Sequence, residues 1–240
     1  MIANVLISAA DVLLGVIFAV LVLKQYGQRK KMHQLMWGIA IVLWVIGVAA
    51  ELLATLNGWS DLSYRAYYAS GALLIPAWLG MGTLYLVLKR SWADRILVVL
   101  AVLSVLGIVL ILVWPIDPAA LRTSGAGEVP LKVFPFLPIQ LILIILNTFG
   151  AIAFVGGALW SVFRFLQMRS MAERAVATGL IAIGGLIAAG AHSLGVVSGI
   201  ELFRVSELLA LVFIFVGFVL SGRPATRPAG NPAAHAAQAG

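Results

Sequence analysis

The sequence predicts an all-α integral membrane protein of seven transmembrane helices, with the N-terminus outside and the C-terminus inside. Three observations carry that expectation. Of 240 residues, 62% are apolar and 10% are charged, too apolar for a water-soluble core of this length. Seven continuous apolar runs each approach the roughly 20 residues that a helix needs to cross a bilayer core. Lys and Arg collect in alternate connections between those runs, which sets the orientation.

The runs lie near 2–23, 35–56, 64–88, 94–114, 135–163, 175–198 and 201–221. They are continuous rather than alternating, and a helix satisfies its own backbone in lipid, so helices are expected rather than barrel strands. Span 1 follows a start, Met1 to Asn4, without the basic residues of a signal peptide, so it is expected to be retained. The connection after span 1 carries Lys24, Arg29, Lys30 and Lys31. The one after span 3 carries Lys89, Arg90 and Arg95, and the one after span 5 carries Arg164, Arg169 and Arg174. Arg223 and Arg227 follow span 7, while the opposite side has only Arg65, Arg122, Lys132 and Arg204. Trp37, Trp92 and Trp160 then fall near the inner interface and Trp59 and Trp114 near the outer one, as in an aromatic belt. Trp44 and Trp78 fall mid-span, where packing is the expected role.

The partners expected from this layout are the lipid bilayer and, at Arg29, Lys30 and Lys31, anionic lipid headgroups. The net charge of +7 follows membrane topology, so no nucleic-acid partner is expected. The expected location is the plasma (inner) membrane of a prokaryotic cell. Residues 115–134 form the longest external loop, read as a plain connector with folding over the outer mouth as the alternative. Residues 222–240 are rich in Pro, Ala and Gly and read as a disordered cytoplasmic tail, with His235 inert.

The chain also carries a possible echo of itself. Gly38, Glu51, Leu53 and Gly58 recur in step as Gly179, His192, Leu194 and Gly199, and Arg65 and Arg204 follow with a two-residue offset. If this is a duplication, spans 1–3 match spans 5–7, with span 4 as the linker: a 3+1+3 parallel repeat about an axis near the membrane normal. That resembles the architecture of small sugar carriers of the SWEET type, though no family motif accompanies it.

Ionisable groups within spans are costly and are functional candidates. They are Asp11 in span 1, Glu51 in span 2, Arg65 and Tyr68 at the outer start of span 3, His192 in span 6, and Arg204 and Glu207 in span 7. Asn147 of span 5 joins them as a polar residue, with interhelical hydrogen bonding as its favoured role. Nearly all fall in the outer half, which predicts one polar cavity opening outward. Glu201 is expected to anchor at the interface. Glu51 and Arg204 have a purely structural ion pair as their alternative role. Tyr64, Tyr67 and Tyr68 read first as belt aromatics. Pro76 should kink span 3, and the glycines of span 6 should allow close helix contact.

Much chemistry is excluded. The chain has no Cys, so thiol catalysis, disulfides and thiolate metal sites are absent. Span 7 has no Lys for a retinal Schiff base, and one His within the spans cannot make a three-His zinc site or a bis-His haem site. No metal or cofactor is therefore expected. There is no Gly-x-Ser-x-Gly motif and no phosphate loop, so an enzyme is disfavoured. A Glu–His–Glu set with Arg partners can exchange protons between about pH 5 and 8. The leading expectation is a proton-linked carrier or exporter of an unknown small molecule. A ligand-binding sensor acting through a partner comes second, and a lipid-modifying enzyme using Asp11, Glu51 and Glu207 comes third.

Overall fold

A computed structural model describes residues 2–122, 129–130, 133–168, 171–198 and 200–222, leaving out the side chains of 192–201. The expected tail beyond residue 222 and the side chains of His192 and Glu201 therefore lie outside the described residues. Seven long helices are α1 (Ile2–Arg29), α2 (Met32–Asn57), α3 (Asp61–Val87), α4 (Arg90–Val113), α5 (Phe136–Gln167), α6 (Ala172–Ser198) and α7 (Ile200–Ser221). All are long and apolar enough to cross a membrane, so this is a multi-pass membrane protein. Among the described residues there is no strand.

Several helices outrun their apolar cores. α1 continues through Lys24, Gln25 and Arg29, because straight-chain polar residues are good helix formers and their heads reach the interface. Gly58, with φ of 79°, turns the chain after α2. Ser60 and Ser63 then form a reciprocal capping box that opens α3.

Six helices close a ring. α1 packs on α2 and α7, α2 on α3, α3 on α5, α5 on α6, and α6 on α7. α4 stands outside the ring, against α3 and α5. Its sequence explains this: Ala93, Leu100, Ser104, Gly107 and Ile111 make one narrow buried stripe, while Val98, Val99, Val102, Val105 and Val109 are exposed. The chain enters α1 at one face of the bundle, here called the N-face. The other face carries the basic connections.

The crossing of α3 and α5 is close and backbone to backbone. A Cβ at Gly150 would lie 2.2 Å from the Pro76 carbonyl carbon, so only glycine fits there. α6 and α7 likewise meet at Gly184 and Gly217, each against a backbone carbonyl of the other helix.

α3 is interrupted where the sequence expects a kink, but not by Pro76 alone. Residues Tyr68–Leu74 form a π-helical turn immediately before Ile75 and Pro76. Pro76 has no N–H to give to the Ala72 carbonyl four residues back. Asn147 of α5 donates to that carbonyl at 2.9 Å. A second π-turn, Ile152–Gly156, lies in α5. Such turns widen a helix locally and often occur at functional sites.

The segment between α4 and α5 is more than a connector. Leu121 and Phe134 are buried, and the Tyr64 hydroxyl donates to the Pro130 carbonyl at 3.0 Å. Trp59, Tyr64, Tyr68 and Phe134 pack ring against ring over the N-face end of α3. Tyr64 and Tyr67 are thereby core residues, 1% and 6% exposed, rather than belt aromatics.

Candidate functional site

A charged cluster lies inside the ring, in its N-face half. At a rise of about 1.5 Å per residue, Glu51 sits about 9 Å from the Asn57 end of α2 and Asp11 about 14 Å from the start of α1. Arg204 of α7 forms an ion pair with Glu51 Oε2, and each side chain is only 1% exposed. The guanidinium also donates to Ser8 Oγ of α1 at 3.0 Å and reaches Thr55 Oγ1 at 3.5 Å. Thr55 in turn donates to the Glu51 carbonyl at 2.9 Å. One arginine thus ties α7 to both α1 and α2.

Two more carboxyls stand close by. Asp11, 1% exposed, accepts a hydrogen bond from Trp44 Nε1 at 3.1 Å. Glu207, one turn below Arg204 on α7, lies within hydrogen-bonding reach of the Glu51 carboxyl. Tyr67 of α3 is in electrostatic contact with Glu51, Glu207 and Arg204. Among the described residues, Glu51 Oε1 and Glu207 Oε2 are buried and meet no donor unless a proton is shared between the two carboxyls.

Beside this cluster is a cavity of about 530 Å³. α2 contributes Trp44 and Glu51, α3 Tyr67 and Pro76, and α7 Glu207. α5 contributes Asn147, Thr148 and Phe154, and α6 contributes Gly185 and Ala189. Its walls are mainly apolar, and among the described residues no Lys or Arg lines it. Toward the basic face it is closed by packed Phe18, Ile41, Leu79, Phe154, Ile181, Ile214 and Phe218. Toward the side it opens between α5 and α6, where Thr148 and Ala189 line it and are themselves exposed. The packing explains this gap. Among the described residues α6 is held mainly by the basic-face half of α5, Gly157–Gln167, and by its π-turn, with little or nothing from Leu141–Ala151.

The sequence-derived candidates whose side chains are described divide into three groups. Asp11, Glu51, Arg204 and Glu207 come together in the cluster, with Glu51 and Glu207 facing the cavity. Asn147 lines the cavity while holding the Ala72 carbonyl, which is the interhelical role favoured from sequence. Arg65 and Tyr68 sit elsewhere. Arg65 pairs with Asp61 at 2.8 Å and donates to the Ile111 and Leu112 carbonyls at the end of α4. Tyr68 packs on Phe134, with ring centroids 4.8 Å apart. The His192 side chain lies outside the described residues.

Four participants were not singled out from sequence: Ser8, Thr55, Trp44 and Tyr67. Ser8 sits one turn from Asp11 on the same face of α1, and Thr55 one turn from Glu51 on α2, a periodicity that could have found them. Trp44, whose mid-span position points to packing, also gives its indole N–H to Asp11.

Fold and site together define a seven-helix, multi-pass membrane protein with a buried charged cluster beside an intramembrane cavity. No family model matches the chain, and no curated protein or solved structure matches it either.

Proposed function

We propose that the protein is a proton-linked carrier or exporter of small molecules, oriented N-terminus out and C-terminus in, with the N-face half of the bundle as its outer half. The observation that carries this reading is the charge count at the cavity. Three carboxyls, Asp11, Glu51 and Glu207, surround one guanidinium, Arg204. An uncompensated charge in a buried site costs several kcal/mol, roughly. The described set is neutral when two of the carboxyls hold protons and the third pairs with Arg204. Those two protons are the exchangeable ones.

The surroundings suit exchange. From α1, α2, α3 and α7 the groups facing the site are Asp11, Glu51, Tyr67, Arg204 and Glu207. From α5 come only the neutral Asn147 and Thr148. The cavity is closed toward the basic face and opens sideways within the N-face half, so it is reachable from one half of the bundle only, as one state of an alternating-access cycle would be. The π-turns of α3 and α5 flank it and supply backbone that can reset by one residue. The place of α4 outside a ring built from two helix triplets supports the 3+1+3 repeat as part of this proposal.

The tight apolar packing on the basic side also favours a second reading, a ligand-binding sensor that signals through a partner. Proteoliposomes discriminate. A carrier dissipates an imposed proton gradient when its solute is added, and Glu207→Gln removes that response. Ligand binding with no flux of proton or solute across a broad panel selects the sensor.

A further inference from the structure

We propose that the cavity binds an amphipathic monocation, an ammonium or onium group on an aromatic or aliphatic body, with its charge held between Glu207 and Glu51. This names the substrate class of the carrier reading and rests on that reading only for the transport step.

The cavity selects charge through what it offers. Among the described residues, the ionisable side chains lining it are Glu51, Glu207 and Tyr67, and none of the lining residues is a cation. Glu51 Oε1 and Glu207 Oε2 are buried acceptors that, among the described residues, meet no donor except a proton shared between the two carboxyls. Glu51 is 1% and Glu207 8% exposed, so neither oxygen is served by bulk water. When the shared proton leaves, these acceptors lose their donor at a cost, and an ammonium or a face of an onium group offsets that cost. A carboxylate or phosphate ligand would instead bring negative charge beside a carboxylate, with no cation among the described lining residues to offset it.

The walls select the body. Trp44, Tyr67 and Phe154 supply aromatic surface beside the acidic pair, and aromatic faces attract desolvated cations. Leu79, Leu143, Val155 and Ile214 complete an apolar enclosure. A volume of about 530 Å³ falls within the roughly 300–1,000 Å³ of small-molecule sites. The opening between α5 and α6 lies beside exposed Ile144 and Ile145, a surface that faces hydrocarbon. An amphipathic ligand reaches such an opening by partitioning into the bilayer, which a strongly hydrated one does not.

Occupation follows from charge balance. An arriving cation forms its ion pair with one carboxylate of the Glu51–Glu207 pair. The proton that carboxyl held leaves to water, and the net charge of the site is unchanged. Cation and proton are then alternative occupants.

The test uses isosteric probes of opposite charge, with full-length protein in nanodiscs and empty nanodiscs as the blank. Tetraphenylphosphonium is paired with tetraphenylborate, and 2-phenylethylammonium with 3-phenylpropionate. The expected result is saturable binding of at least one cation, at least about tenfold tighter than its anionic counterpart, and weakened at least about tenfold by Glu207→Gln. Wild-type protein supplies a second readout that does not depend on how the variant folds. The bound cation should slow modification of Glu207 or Glu51 by dicyclohexylcarbodiimide, read by peptide mass. Equal or anion-preferring binding, absence of binding by either cation, or no protection overturns the proposal. Cation binding without any proton-coupled flux leaves the cation site standing and removes the carrier reading. Proton-coupled flux of a solute with no cation preference does the reverse.

Discussion

Arg204 of α7 pairs with Glu51 of α2 across 153 positions of chain, and both side chains are sealed from solvent. The pair, with Ser8 and Thr55, joins α1, α2 and α7 at one point. Breaking such a pair leaves a charge stranded, while replacing both partners with apolar groups removes the desolvation cost as well. Arg204→Leu alone should therefore destabilise by about 3–5 kcal/mol. Arg204→Leu with Glu51→Leu should recover most of that loss. Thermal unfolding in detergent, run as a double-mutant cycle, reads the coupling. Additive single effects would show that the two residues do not act as a pair.

The link between Asn147 and Ala72 makes a second coupling testable. Asn147→Leu should cost about 1 kcal/mol, the usual scale of an interhelical hydrogen bond in a membrane. Pro76→Ala restores a backbone N–H that can serve the same carbonyl, and in that background the cost of Asn147→Leu should shrink. An unchanged cost in the Pro76→Ala background would mean that Asn147 serves another group.

Close approach at Gly150 sets a steric prediction. Gly150→Ala places a Cβ 2.2 Å from backbone of α3, with no flexible side chain to give way. Destabilisation of about 1–3 kcal/mol is expected, together with a smaller cavity. Gly27 has nothing within 4 Å of its added Cβ, and Gly27→Ala serves as the neutral control. Similar melting temperatures for the two variants would contradict the crossing geometry.

The lateral opening can be closed chemically. Because the chain has no Cys, Thr148→Cys with Ala189→Cys introduces the only thiols. A short bifunctional maleimide should join α5 to α6 and block solute entry, with each single variant unaffected by the same reagent. Full activity after verified cross-linking would show that ligands enter elsewhere.

The legibility of this chain divides by the range of the interaction. The seven helices could be read from sequence because crossing a bilayer demands a length and composition that are local properties. Their ends were less legible. Lys24 to Arg29 end the apolar run but not the helix, since helical propensity and membrane depth are separate constraints. The intramembrane charges were visible as costs, and Asp11, Glu51, Arg204 and Glu207 do gather. Their partners were not visible. Nothing near Arg65 in sequence announces the carbonyls of Ile111 and Leu112, and nothing near Asp11 announces Trp44. Pro76 announced a break, but the π-turn ahead of it and the donor that repairs it depend on how α5 crosses α3.

The central claim is that the carboxyls around Arg204 exchange protons for a solute. Pyranine-loaded proteoliposomes with the interior more acidic than the bath test it most directly. Adding an amphipathic cation such as tetraphenylphosphonium outside should make the interior pH rise in wild-type vesicles, as protons leave in exchange for entering cation. It should not do so in Glu207→Gln vesicles of equal protein content. No cation-dependent pH change in wild-type vesicles, or the same change in the variant, would contradict the account.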